Sequence, residues 1–258
     1  MPRREWPFVV ALALLGGSYL LLVVALLVAD FAFTSPGHIL AALRNPDIRS
    51  AIWLSLLTSG IAAILSVWVA VPLGYLLART RFLGRPLVEF LVDVPVVLPP
   101  LVIGLSLLIL FQTGAGRAVQ QVVTVTYAVP AVILAQFVVS AAFATRTMRG
   151  AFEQQSPRAE QVARTLGCTR GQAFWRVSLP DAMPAVGSAA ALAWARALGE
   201  FGPVLVFAGV TRGRTEVMTT TVFLELSVGH LQAALAVSIL MIGVSAAVLG
   251  LLRFAGKS

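Results

Sequence analysis

Lysine is nearly missing from this chain. Of its 258 residues one is lysine, one is cysteine and two are histidine, and charged residues of every kind amount to 12%. Each scarcity excludes something. The single Cys168 cannot build an internal disulfide framework. His38 and His230, far apart in sequence and with no second cysteine, offer no metal-ligand spacing. No stretch reads G-x-x-x-x-G-K-[ST], so the chain carries no phosphate loop and cannot be its own P-loop ATPase. So little charge also leaves too little polar surface for a soluble domain of this length.

Apolar residues are what the sequence has in excess. They form 59% of the chain, the mean hydropathy is +0.91, and several runs exceed the roughly 18 to 20 residues that cross a hydrocarbon core. The class is an all-α, polytopic membrane protein, because in lipid each span must satisfy its own backbone hydrogen bonds. Six spans are expected, at about 7–30, 50–78, 87–111, 125–148, 184–209 and 231–252, in one transmembrane domain covering residues 1–258. The run from Phe8 to Ala29 is longer than a signal-peptide core and is read as a retained first span.

The net charge of +8 does not point to nucleic acid, since the arginines lie in short loops and not on one patch. They set topology instead. With both termini cytoplasmic, the inner segments hold Arg3, Arg4, Arg79, Arg81, Arg85, the six arginines from Arg146 to Arg176, Arg253 and Lys257. The outer loops then hold Arg44, Arg49, Arg117, Arg212 and Arg214. That excess favours this orientation under the positive-inside rule.

Proline and glycine concentrate within spans. DVPVVLPPLVIG (93–104) holds Pro95, Pro99 and Pro100, and GEFGPVLVFAG (199–209) holds Gly199, Gly202 and Pro203. Proline removes a helical hydrogen bond and clashes with the preceding turn, so both helices should kink or break. Breaks at membrane depth are tolerated where they face protein or a water-filled cavity, and they also serve as simple packing kinks.

The longest polar interruption, EQVARTLGCTRGQAFWRVSLP (160–180), falls on the cytoplasmic side. Ser156 is placed to cap a helix with Pro157 at its first position. Ala159, Val162, Ala163 and Leu166 make one apolar stripe; of this face and that of the following helix, one is suited to packing on the protein's own spans while the exposed parts stay open to a partner. Gly167 follows as a left-handed terminator. Thr169 and Gln172 have capping-box spacing, Ala173, Phe174 and Val177 form a second apolar face, and Leu179-Pro180 ends the second helix. An ordinary surface linker would share this pattern.

This stretch resembles the EAA loop of permease subunits of ABC importers: Glu-Ala-Ala, three residues, Gly, nine residues, then Ile-x-Leu-Pro. Gln161, Val162 and Ala163 fill the first three positions, Gly167 the glycine, and Val177, Leu179 and Pro180 the end, with Glu160 one residue before the expected acid. Gln161, Val162 and Val177 depart from the family pattern. The resemblance implies a type I ABC importer permease fold. It also implies that the loop at about 150–182 docks on a separate ATPase subunit, which consumes ATP and Mg, while this chain needs no cofactor. A second copy of the chain, an extracytoplasmic solute-binding protein and the bilayer of a bacterial or archaeal inner membrane complete the implied assembly.

ARALGEFGPVLVFAG (195–209) and DVPVVLPPLVIG are similar to the corresponding spans of permeases for molybdate, tungstate and sulfate. Within them Arg196 and Glu200 form an i, i+4 pair inside a span, where an unpaired charge costs roughly 2.5 to 3.5 kcal/mol. The pair reads either as a self-neutralising structural bridge or as positive potential along an anion's route. Arg196, Glu200, Gly202, Pro99 and Pro100 are the pathway candidates. Glu89 and Asp93 are assigned to helix N-terminal stabilisation, Trp6, Trp53 and Trp68 to an aromatic belt, and Cys168 to no chemistry. The competing readings are a permease for sulfate or thiosulfate, one for ferric iron or a polyamine, an ion-coupled secondary transporter and a non-transporting scaffold.

Overall fold

The computed structural model describes residues 6–255, so Arg3, Arg4 and Lys257 lie outside the described residues. Helix α1 (Trp6–Phe33) runs into a short α2 (Pro36–Arg44) and then the longest helix, α3 (Pro46–Arg79). Asn45 ends one helix and starts the next, its Oδ1 accepting the Asp47 amide at 2.9 Å with Pro46 at the first helical position. After Gly84, in a left-handed turn at φ 90°, come α4 (Arg85–Val97), α5 (Pro100–Gln112) and α6 (Gly114–Val122). The second long helix is α7 (Val129–Gln154).

Helices α3 and α7 form the centre, with α11 (Met183–Leu198) laid across both. They run parallel, since Ser66 meets Ser140 at 2.8 Å and Gly74 meets Met148 two turns further on. The reason is visible in side-chain size: Ala62, Ala63, Ala70 and Gly74 on one helix face Ala135, Ala144 and Met148 on the other. In lipid no hydrophobic force draws helices together, so close backbone approach and interhelical hydrogen bonds must do it. A methyl group at Gly74 would stand 2.8 Å from the Arg149 backbone nitrogen and the Met148 Cβ, so the two backbones approach closely here.

Four described helices are long and apolar enough to cross a membrane as single rods: Phe8–Phe33, Pro46–Arg79, Val129–Gln154 and Leu231–Gly250, the last within α14 (Leu231–Ala255). The expected span at 87–111 is a pair, α4 and α5, bent by 116° at Leu98-Pro99. The span expected at 184–209 is likewise broken, as its glycines and proline predict. It consists of α11 and a six-residue α12 (Gly202–Phe207), separated at Gly199–Phe201. Helix α13 (Met218–Ser227) folds back against α14. Trp6, Trp53 and Trp68 all project outward, 67 to 75% exposed, as an aromatic belt requires.

Candidate functional site: the polar loop and two broken helices

Residues 158–181 form a chain of short turns: α8 (Arg158–Thr165), α9 (Arg170–Ala173), a π-helical stretch Phe174–Ser178 and α10 (Leu179–Asp181). The local signals read from sequence operate here. Gly167 has φ +92°, and its flanks close the Schellman pair, Gly167 amide to Arg164 carbonyl at 3.1 Å and Cys168 amide to Ala163 carbonyl at 3.1 Å. Thr169 and Gln172 make a reciprocal capping box at 2.9 and 3.3 Å. Two expectations shift. The helix starts one residue late, so that Pro157 is its cap and Ser156 accepts the Arg158 amide at 3.4 Å. The Leu179-Pro180 pair adds a further turn instead of stopping the chain, because proline is tolerated in the first turn of a new helix.

Of the two apolar faces, the second turns inward: Ala173 is buried and Phe174 and Val177 are half-buried. The stripe of Ala159, Val162, Ala163 and Leu166 does not pack on the spans: Val162 is 57% and Leu166 81% exposed. Glu160 is the residue that turns in, and it is buried. Its Oε1 accepts the Tyr75 hydroxyl at 2.7 Å and its Oε2 accepts the Ser178 hydroxyl at 3.1 Å, with the Arg79 Nε 4.0 Å away. Burying a carboxylate is costly unless its oxygens are hydrogen-bonded and its charge is offset, and this one meets both conditions. Gln161 is exposed, Ala163 and Val177 are half-buried, and Pro180 is exposed beside half-buried Leu179. Val162, Leu166 and the 68% exposed Trp175 thus leave the loop with an apolar outer surface, while its acid locks it to α3.

The pathway candidates separate into two groups. Pro100 and Gly202 meet: a methyl group at Gly202 would lie 2.9 Å from the Pro100 Cβ and 3.1 Å from the Leu101 nitrogen. Gly104, which the sequence reading did not single out, makes the reciprocal contact, with the Pro203 Cα 2.8 Å from any added Cβ. The two broken helices therefore cross at glycine on both sides, and Pro99 caps α5 at the bend. The signal was present as a glycine four residues after Pro100, but its partner lies a hundred residues on.

Arg196 and Glu200 form the second group. The Arg196 Nη2 donates to the Glu200 Oε1 at 2.9 Å, and its guanidinium lies 4.9 Å over the Phe143 ring. Glu200 is 2% exposed and its carbonyl accepts the Thr219 hydroxyl at 2.9 Å. The Arg196 Nε is buried without a hydrogen-bond partner. The pair sits where α11 ends, beside the break.

Glu89 and Asp93 do not act mainly on a helix terminus. Glu89 accepts from Arg85 at 2.8 Å and from Arg149 at 3.1 Å, and Asp93 pairs with Arg146 at 3.2 Å, so both tie α4 to α7. Cys168 is half-buried. Among the described residues no group of His, Cys, Asp and Glu could hold a metal ion.

Long apolar helices, breaks at α4/α5 and α11/α12 and a compact helical loop between α7 and α11 are features suited to a membrane transport component. Residues 70–255 match the family described as the binding-protein-dependent transport system inner membrane component, and the chain belongs to that family. It is an ABC permease subunit of the multi-pass inner-membrane type.

Several curated relatives are more specific. The chain is 32% identical to the molybdate/tungstate transport system permease protein WtpB of Pyrococcus abyssi, over 92% of both chains. It is 37% identical to the molybdenum transport system permease protein ModB of Mycobacterium tuberculosis, over 81% of this chain and 80% of that one. It is 34% identical to the sulfate transport system permease protein CysT of Escherichia coli, over 88% and 83%. Among solved structures, a bacterial ABC transporter that imports the acidic polysaccharide alginate superposes with a TM-score of 0.78 at 18% identity, covering 99% of this chain and 96% of that one. The MetNI methionine transporter gives 0.63 at 19% identity. These likenesses establish the type I importer fold.

Proposed function

We propose that this chain imports molybdate or tungstate, as the membrane half of a transporter whose ATP is hydrolysed by a separate subunit. The observation that carries the substrate is the likeness to molybdate and tungstate permeases along almost the whole chain. The absence of a phosphate loop from the sequence supports placing the ATPase, with its ATP and Mg, on a partner. Two copies would surround the pathway, both termini would be cytoplasmic, and an extracytoplasmic solute-binding protein would deliver the anion. The exposed Val162, Leu166 and Trp175 surface is suited to docking in a cleft of the ATPase, with Gly167 setting its turn. Arg196, partly neutralised by Glu200, supplies positive potential beside the broken helices without holding a dianion so tightly that it cannot leave.

Sulfate is the second reading, favoured by the likeness to CysT. One experiment separates them. The gene is deleted, cells are grown in trace molybdate and tungstate with ample sulfate, and cellular molybdenum and tungsten are measured. A selective fall in either metal, restored by the wild-type gene and not by Gly167→Asp, supports substrate and loop together. Unchanged metals with a new requirement for sulfur would move the assignment to sulfate.

A further inference from the structure

We infer that Tyr75 and Ser178 hold Glu160 as a clamp that makes α3 the lever through which the cytoplasmic loop moves the membrane helices. This rests on the ATPase-coupling reading of the loop. Covalently the loop continues α7 and leads into α11, so those two helices are the obvious routes for force. The clamp adds a third that the chain path does not provide. Glu160 on α8 binds Tyr75 on α3 at 2.7 Å and Ser178 in the π-helical stretch at 3.1 Å. Around it, the Arg79 Nη2 donates to the Gln155 carbonyl at 2.8 Å and the Arg170 Nη2 to the Arg79 carbonyl at 3.1 Å. The Gln155 Nε2 donates to the Ser178 carbonyl at 3.3 Å. Helices α8 and α9 are thereby tied directly to the last turns of α3, and the π-helical stretch is tied to them through Glu160 and Gln155; the Tyr75 ring is wedged against Phe152 and Phe174 at 5.5 and 4.6 Å between centroids.

The position of the clamp along α3 gives it leverage. Tyr75 follows Gly74, where the backbones of α3 and α7 touch too closely to admit a methyl group. Pro72, two residues earlier, removes a helical hydrogen bond. A loop displacement is therefore applied to α3 one residue beyond a close backbone contact with α7. That contact acts as a pivot, and the proline weakens the helix on the far side. Tyr75 and Glu160 are positioning residues here: they touch neither nucleotide nor transported anion.

The test uses the complete transporter, with its ATPase and binding protein, reconstituted in liposomes. ATP hydrolysis and molybdate uptake are measured together for wild type, Tyr75→Phe, Glu160→Gln, the double variant and Ser178→Ala. Removing a hydrogen bond to a buried charge should lower uptake per ATP hydrolysed about ten-fold, with hydrolysis and ATPase co-purification retained. The double variant should be no worse than Glu160→Gln, since both changes break one link. Ser178→Ala should move in the same direction by less, and it carries the test if Tyr75→Phe inserts poorly. Unchanged uptake per ATP in assembled variants overturns the lever. Loss of ATPase co-purification also overturns it, because the clamp would then only shape the docking surface. Failure of the wild-type chain to bind any ATPase would instead sink the coupling reading itself.

Discussion

Replacing Arg196 by glutamine should cost far more than replacing Glu200 by glutamine, because the two ends of this ion pair are buried to different depths. The Glu200 side chain is 3% exposed and that of Arg196 36%. Without the arginine, a carboxylate stays buried with no compensating charge, a change that costs about 3 kcal/mol at the lower end of measured buried pairs. Loss of the contact with Phe143 adds about 0.5 to 1 kcal/mol. Without the glutamate, a partly open guanidinium draws on water, and the cost is about 1 kcal/mol. In the double variant no charge is stranded, so its stability should return close to that of Glu200→Gln. At about 2–4 °C per kcal/mol for chains of this size, Arg196→Gln should melt about 7–16 °C below wild type in detergent and Glu200→Gln about 2–4 °C below. A Tm for Arg196→Gln equal to that of Glu200→Gln would refute the burial argument. Uptake in proteoliposomes separates the two roles of the arginine. If Arg196 lies on the anion's route, uptake fails in Arg196→Gln and in the double variant alike. Recovery of uptake together with stability in the double variant would make the pair purely structural.

Three further outcomes are expected. Gly74→Ala and Gly104→Ala each force a methyl group to within 2.8 Å of fixed backbone or Cβ atoms and should destabilise by about 1–3 kcal/mol, whereas Gly150→Ala, with open space around its Cβ, should not; thermal melts of the three decide it. Gly167→Ala meets no atom but must hold φ +92°, a conformational cost of about 1–2 kcal/mol, so ATP-driven uptake should fall and Tm should drop by about 2–8 °C. Glu216, in the loop between α12 and α13, is 2% exposed and neither carboxylate oxygen has a hydrogen-bond partner. Burial raises its pKa above the usual 4.5, against the opposing influence of Thr221 and Arg212. The folded state therefore holds this proton more tightly than the unfolded one. Its contribution is most favourable below pH 4.5 and is lost as pH rises through the folded pKa. Glu216→Gln should remove that loss and raise Tm at neutral pH; a Tm difference from wild type that does not change between acid and neutral pH would count against it.

How far the sequence reaches is clearest at Gly167, Thr169 and Gln172. Their roles depend on φ and on partners within three to five residues, and each sits in the structure as its pattern predicts. The same holds for the long apolar runs, whose helical state follows from the need to satisfy backbone groups in lipid, and for Arg196 and Glu200, which one helical turn brings together. The sequence could not tell which face of α8 points inward. The Ala-Val-Ala-Leu stripe is small, and its burial would yield only a modest transfer free energy. Glu160 has a hydrogen-bond partner 85 residues away in Tyr75. A periodicity argument ranks an apolar stripe above an acid for burial because it cannot see that partner. The crossing of Gly202 with Pro100 and of Gly104 with Pro203, and the 116° bend beside it, were likewise decided by packing. Proline fixes where a helix weakens, but the helix lying against it sets the angle at which it breaks.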